Sequence, residues 1–358
     1  SVTGSRSEAY TFDANGNRSS YSTSTGNLLL SDGQFSYTYD FEGNRKTRTR
    51  LSDGQVTEFF WDHRNQLTKA LVKDANGILL KELRFTYDVE GRRVGVWVDA
   101  DGAGPGTADQ VWTIYDGANP YMDFDGNGEL QTRYLYGPGI DELFARIGAG
   151  EDPEWYLVDR LGSVRQIVDG AGTILDEIVY DSFGNVLSES NPSQGDRFKF
   201  TGREYSPELG IYYYRARWYD PSSGRFISQD PIGFRAGDPN LYRYVGNAPG
   251  DGVDPEGRCI TVSSVLPIAI GAAAIDGPLP IGDLIGGSIL IFAFIWETTT
   301  ATNLQNQCYN QYLDEIEACK KRYSTSREKA ACYERAMNRY VRCLSGEEPR
   351  PPLFPKPR

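Results

Sequence analysis

Two Asp-Pro-x-Gly units, Asp230–Gly233 and Asp254–Gly257, flank an aromatic segment, Asn240-Leu-Tyr-Arg-Tyr244. Paired carboxylates are what aspartyl peptide hydrolysis needs: they share a proton, one activating water while the other protonates the scissile carbonyl oxygen. Burial and mutual repulsion then split their proton affinities. The same four residues also make a good turn, with Asp at the first position and Pro preset for the second. A structural reading therefore stands beside the catalytic one. Acid-like scission of the Asp254–Pro255 bond is a third chemistry, and it would leave Pro255 as a new N-terminus.

Other chemistries lack their residues. His63 is the one histidine, so a Ser-His-Asp triad or a Cys-His dyad would have to use it, and it sits in a repeat. It has no His or Cys companion before residue 259, so neither a metal site nor a cofactor is expected there. Gly137-Pro-Gly139 lacks the lysine and the following helix of a phosphate loop. Asp123-Phe-Asp-Gly-Asn-Gly128 and Asp99-Ala-Asp-Gly102 imitate pieces of a calcium loop. Without its closing Glu and flanking helices they read as turns.

The elements that must position these carboxylates are repeats. An aromatic-rich alternating run, Asp, two residues, Gly and a polar or basic pair recur as Tyr10-Thr-Phe-Asp-Ala-Asn-Gly-Asn-Arg18 and Tyr37-Thr-Tyr-Asp-Phe-Glu-Gly-Asn-Arg45. A third copy is Phe85-Thr-Tyr-Asp-Val-Glu-Gly-Arg-Arg93, and looser copies are Phe59–Asp62, Tyr156–Val164 and Ile178–Val186. Alternation places rings on one sheet face. Asp-x-x-Gly supplies a turn, Asp bonding its own backbone and Gly accepting positive φ. Repetition of the whole phrase predicts a spiralling sheet of hairpins in which each repeat buries its face against neighbours.

These phrases resemble the tyrosine-aspartate repeats of Rhs proteins and of the C components of insecticidal toxin complexes. The block Phe198-Lys-Phe-Thr-Gly-Arg-Glu-Tyr205, Leu209-Gly-Ile-Tyr-Tyr-Tyr-Arg-Ala-Arg-Trp-Tyr-Asp-Pro221, Gly224-Arg-Phe226 and the two Asp-Pro-x-Gly units is similar to the Rhs-associated core. The resemblance covers roughly residues 1–258. It implies a mainly β fold: a hollow shell of hairpins over 1–195 and a core plug over 196–258, enclosing a variable C-terminal polypeptide. It also implies aspartyl self-cleavage just after the second unit, between Arg258 and Cys259. Asp230 is then the first catalytic candidate and Asp254 the second, with Asp238 in reserve and Arg225 orienting or charge-balancing the pair. Arg258 departs from the pattern, which commonly has an apolar residue there. The implied partners are the chain's own C-terminal cargo, an upstream shell, a secretion apparatus and an immunity protein; the implied location is secreted or at the cell surface.

Composition divides the chain at the same place. The net charge is −12, yet residues 259–358 hold 11 basic against 10 acidic residues, so the acidity lies upstream. An acidic body is a poor nucleic-acid-binding surface, and no nucleic-acid partner is expected. All five cysteines, Cys259, Cys308, Cys319, Cys332 and Cys343, fall after residue 258. The chain opens on Ser1-Val-Thr-Gly in mid-pattern, which reads as a fragment of a longer protein.

Residues 259–296 hold two uncharged apolar runs, of 17 and 13 residues, broken by Asp276-Gly-Pro-Leu-Pro-Ile-Gly-Asp283. Each is shorter than the roughly 20 residues that span a bilayer. Together they suit a hydrophobic helical hairpin, either membrane-associating after release or packed inside the shell. Residues 297–348 predict a second helical hairpin, with a capping box at Thr325-Ser-Arg-Glu328. Its cysteines lie eleven apart in each helix, about three turns or some 16 Å. An antiparallel pair thus sets Cys319 beside Cys332 and Cys308 beside Cys343, two disulfide rungs suited to an oxidising compartment. Residues 349–358 form a Pro-rich, disordered tail. Two other functions fit the same features: a non-catalytic surface or adhesion protein with an anchoring tail, and a membrane-permeabilising toxin tail.

Overall fold

The chain forms two compact units, Ser1–Gly271 and Ala272–Arg358. This computed structural model describes residues 8–148, 150, 152–258, 261–262, 318 and 321–322. In the second unit the described residues, Ala318, Lys321 and Arg322, are helical. The helical hairpins expected over 259–296 and 297–348, the tail over 349–358, Cys259 and the two disulfides otherwise lie outside the described residues.

The first unit is built on one sixteen-stranded sheet whose strands follow chain order, each antiparallel to the next. They are β1 Ser22–Thr23, β2 Leu29–Ser31, β3 Phe35–Tyr39, β4 Arg45–Arg50, β5 Val56–Trp61, β6 Leu67–Lys73, β7 Leu79–Tyr87 and β8 Arg93–Asp99. There follow β9 Asp109–Asp116, β10 Asn119–Asp125, β11 Leu130–Tyr136, β12 Leu143–Ile147, β13 Pro153–Val158, β14 Val164–Val168, β15 Ile174–Tyr180 and β16 Val186–Glu189. The mainly β expectation holds, and the repeats are hairpins.

The repeated turn has one construction. Between β7 and β8 the Asp88 N–H donates to the Arg92 carbonyl at 3.0 Å, and the Gly91 N–H donates to the Asp88 carbonyl at 3.1 Å. Asp88 Oδ1 accepts the N–H groups of Glu90 and Arg92, both at 2.9 Å. Gly91 sits at φ 84°, where a side chain would be strained. Asp40, Asp159 and Asp181 repeat the pattern. At Asp62 the left-handed position is filled by Asn65, one of the few other residues that tolerates it.

The aromatic residue ahead of four of the turns has its own task. Its polar tip donates to the first carbonyl of the strand that opens the preceding hairpin arm. Trp61 Nε1 donates to Arg45 at 2.8 Å, Tyr87 to Leu67 at 2.8 Å, Tyr115 to Arg93 at 3.0 Å and Tyr180 to Val164 at 2.8 Å. Neighbouring repeats are thereby pinned in register, since a ring that fills the inner face also satisfies a backbone acceptor.

A small second sheet lies inside: β17 Glu204–Ser206, β18 Ile211–Tyr214, β19 Arg217–Asp220 and β20 Arg225–Phe226. Every residue of β18, β19 and β20 is buried. Alternation sends Ile211, Tyr213 and Trp218 against Phe59, Leu67, Leu83 and Phe85 of β5–β7. Tyr212, Tyr214, Tyr219 and Phe226 pack instead with Ile178 and Tyr180 of β15. The long sheet therefore covers both faces of the small one, wrapping round it as a shell round a plug. Buried ion pairs stitch the two: Arg45 to Asp220 and Arg93 to Glu204, both at 2.6 Å. These arginines close the Gly-Asn-Arg and Gly-Arg-Arg phrases of the repeats.

A two-stranded ribbon follows the plug. β21, Gly252–Val253, pairs antiparallel with β22, Thr261–Val262. The segment expected to be helical from residue 259 thus begins, in its described residues, as a strand.

Candidate active site

The site forms where three turns of the plug meet. The first joins β18 to β19: Tyr214 pairs with Arg217, and Arg215–Ala216 make the two-residue loop. The second is Asp230-Pro-Ile-Gly233, whose Asp230 carbonyl accepts the Gly233 N–H at 2.9 Å and whose Oδ1 accepts the Ile232 N–H at 3.0 Å. Its Asp230 N–H is fixed to the Leu241 carbonyl at 3.0 Å. The third is Asp254-Pro-Glu-Gly257, built like the shell turns: Gly257 N–H to the Asp254 carbonyl at 3.3 Å, Arg258 N–H to Asp254 Oδ1 at 2.9 Å.

Arg217 holds these turns together. Its Nη2 lies 3.0 Å from Asp230 Oδ2 and 3.1 Å from Asp254 Oδ2. Nε donates to the Gly257 carbonyl at 2.6 Å and Nη1 to the Leu241 carbonyl at 3.2 Å. The guanidinium rests on the Phe226 ring, 3.6 Å from its centroid. Asp230 and Asp254 are both buried, at 8% and 2% exposure, so neither charge is screened by bulk water.

Burial pushes the Asp230 carboxyl above its ordinary value; Arg217 works against that rise without cancelling it. Burial also pulls the Arg217 guanidinium below its ordinary value, against the charges of Asp230 and Asp254. Beside them is a cavity of about 30 Å³ lined by Arg217, Asp230, Asp238, Asp254 and Arg258. That is room for a water molecule among polar partners.

Gly257 is a position where only glycine fits. It sits at φ 65°, and a Cβ there would collide with the Tyr214 carbonyl and lie 3.1 Å from the Arg217 nitrogen. The second Asp-Pro-x-Gly thus presses its backbone directly onto the β18–β19 turn.

Of the residues named from sequence, Asp230, Asp254 and Arg258 come together. Asp238 lines the same cavity but is taken by Arg243 in a two-pronged pair at 2.7 and 2.8 Å. Arg225 is directed elsewhere: it donates to Asn17 Oδ1 at 2.9 Å, the Asn27 carbonyl at 2.5 Å and Asn240 Oδ1 at 3.3 Å, tying the first repeat to the plug. Arg217, which was not singled out from sequence, takes the place expected of Arg225. No spacing within the Tyr-rich motif marks Arg217, because its role comes from three turns that meet only in the fold. His63 is exposed in the turn after Asp62. Asp123, the would-be calcium ligand, is buried and ion-paired with Arg197.

The family model for the teneurin YD-shell matches residues 1–249. Among curated proteins, the tRNA3(Ser)-specific nuclease WapA of Bacillus spizizenii is 29% identical over 277 residues, covering 67% of this chain and 11% of that protein. The double-stranded DNA deaminase toxin A of Burkholderia cenocepacia is 28% identical over 288 residues, covering 70% of this chain and 19% of that protein. The chain thus spans a minor part of the length of these relatives. A crystal structure of TcdB2-TccC3-TEV aligns with a TM-score of 0.47 at 18% identity, covering 62% of this chain and 13% of the other. With the family model matched along most of its length, on repeats and plug alike, the protein belongs to the teneurin YD-shell family and is an Rhs/YD-repeat protein.

Proposed function

We propose that this chain is the C-terminal portion of an Rhs-family effector or surface protein, whose shell (1–195) and plug (196–258) enclose a C-terminal polypeptide and free it by cutting between Arg258 and Cys259. The observation that carries this reading is the convergence of Asp230 and Asp254 on one nitrogen of Arg217, directly beside Arg258. Two of the relatives are named for toxic or nuclease action. That fits a delivered cargo.

The reaction uses one water and no cofactor. Asp230, with its raised proton affinity, is the acid, and Asp254 is the base. Asp254 takes a proton from water as its oxygen attacks the Arg258 carbonyl carbon, and Asp230 protonates the carbonyl oxygen. Collapse of the tetrahedral intermediate breaks the C–N bond; Asp254 returns its proton to the leaving amine, and Asp230 regains one from the hydroxyl. The products are a carboxyl at Arg258 and an amine at Cys259, with the dyad restored.

The cargo is residues 259–358, comprising the apolar hairpin (259–296), the cysteine-bearing hairpin (297–348) and the tail (349–358). An upstream shell, a secretion apparatus and an immunity protein are the partners such a cargo needs. Exclusion of nucleic acid is confined to the acidic residues 1–258, since the relatives named for tRNA and DNA give no support for extending it to the cargo. Intact mass after expression tests the proposal. Wild type should yield a fragment beginning at Cys259 and Asp230→Asn should stay whole; a wild-type chain that stays whole in every condition refutes self-cleavage.

A further inference from the structure

The β18–β19 loop grips the segment ahead of the cut at three successive carbonyls. Arg215 Nη1 donates to Pro255, the Ala216 N–H to Glu256 at 3.2 Å, and Arg217 Nε to Gly257 at 2.6 Å. The Arg258 N–H is held on Asp254 Oδ1 at 2.9 Å. Every peptide from Pro255 to Arg258 is therefore fixed by the plug on at least one side.

Arg215 does not stand alone. Its guanidinium is clasped by Asp141, at 3.0 Å and 2.6 Å, and donates to the Ala118 carbonyl at 3.3 Å and 3.1 Å. Asp141 lies between β11 and β12, and Ala118 between β9 and β10, so both belong to the shell. The Asp141 N–H donates to Asn119 Oδ1 at 3.2 Å, joining these two shell loops. Arg215 and Asp141 sit at φ 54° and 62°, left-handed conformations that non-glycine residues keep only where their surroundings impose them.

We infer that Arg215 is a positioning residue for self-cleavage and that Asp141 sets it from the shell wall, so that the plug presents the Arg258–Cys259 bond for cutting only when the shell loops around Ala118 and Asp141 are in place. The inference rests on the self-cleavage reading above. Holding the reacting group in one geometry is worth orders of magnitude in rate, and a small displacement forfeits much of it. Neither residue handles a proton in this scheme. Their loss changes how often the bond is presented, not the chemistry performed on it.

The test is a time course of intact mass for the full chain. Arg215→Ala and Asp141→Ala should each slow cutting about 10- to 100-fold. The double variant should be no slower than the worse single, because both act on cutting through Arg215; Asp141 also pairs with Arg203 at 2.7 Å, so the rate of Asp141→Ala is read beside its melting temperature. Arg215→Lys should recover part of the rate, and the pH profile of every variant should keep its wild-type shape. In a chain stopped by Asp230→Asn, amide exchange over residues 254–258 should quicken when Arg215→Ala is added, with the shell's melting temperature monitored alongside. Unchanged exchange there overturns the clamp whether or not wild type cuts. A wild type that cuts while both alanine variants keep its rate overturns this inference alone; a wild type that never cuts, with exchange responding as expected, overturns the self-cleavage reading instead.

Discussion

Arg45 and Asp220 meet at 2.6 Å, 175 residues apart in sequence, with side chains 1% and 0% exposed. The arginine closes a repeat of the shell and the aspartate ends a strand of the plug. A buried pair of this kind is costly to halve, because the survivor is left charged and unpaired.

Arg45→Ala should therefore lower the stability of the shell by about 3–5 kcal/mol. Replacing both partners with apolar residues of similar volume should cost far less. Urea unfolding of the uncut Asp230→Asn chain measures both; equal losses for the single and double variants would contradict the pairing argument.

Glu204 gives the shell an acid sensitivity. Burial alone would raise its carboxyl, but Arg93 and Arg197 hold it down at about 2, below the ordinary 4.5. A group depressed in the fold contributes its full stability above the unfolded value and loses it as pH falls through the folded one. Stability should thus drop between about pH 4.5 and 2, and a denaturant midpoint followed across that window should fall less steeply in Glu204→Gln.

The pH dependence of cutting should bear the mark of Asp230. Its raised affinity keeps the acid protonated above the ordinary 3.8, so the rate should decline with rising pH on a limb displaced upward from that value. The charge of Arg258 works against the rise. Arg258→Gln should move the limb to still higher pH while cutting at the same bond, as read by fragment mass over a pH series.

The two Asp-Pro-x-Gly glycines should differ sharply. Both have positive φ, but nothing lies within 4 Å of a Cβ at Gly233, whereas one at Gly257 runs into the β18–β19 turn. Gly233→Ala should cost about 1–2 kcal/mol of local strain and keep most of the cutting rate. Gly257→Ala should displace the segment from Arg217 and abolish cutting, with the melting temperature of the shell little changed.

Tyr87→Phe should cost about 1 kcal/mol, the net worth of its hydrogen bond to the Leu67 carbonyl. Phe85→Tyr places a hydroxyl at an inner position already filled against Trp218, 4.8 Å away, and should cost more. Thermal unfolding of the two variants side by side checks the assignment of roles within one repeat.

The hairpins were legible because their determinants are local: Asp88 and Gly91 shape their own turn within four residues, and alternation sorts Phe85 inward. The plug's burial was legible only through its resemblance, since Ile211-Tyr-Tyr-Tyr214 shows no polar face and its two covers come from β5–β7 and β15, far apart in sequence. Asp230 and Asp254 could be named from their turns. Arg217 could not, because what marks it out is a meeting of three turns that no spacing encodes. Arg225 looked equivalent in composition, yet its own hydrogen-bond needs are met by Asn17 and Asn240.

The β21–β22 ribbon, with Gly252 opposite Val262 and Val253 opposite Thr261, brackets the proposed cut from both sides. A break inside a paired ribbon nicks the chain without parting it: the ladder and the grip on Pro255, Glu256 and Gly257 act on opposite banks of the gap. Under the self-cleavage proposal, scission and departure are separate events: carboxylates set the first, and the backbone bonds of the ribbon must open before the second. A protein so built can be armed long before it is emptied.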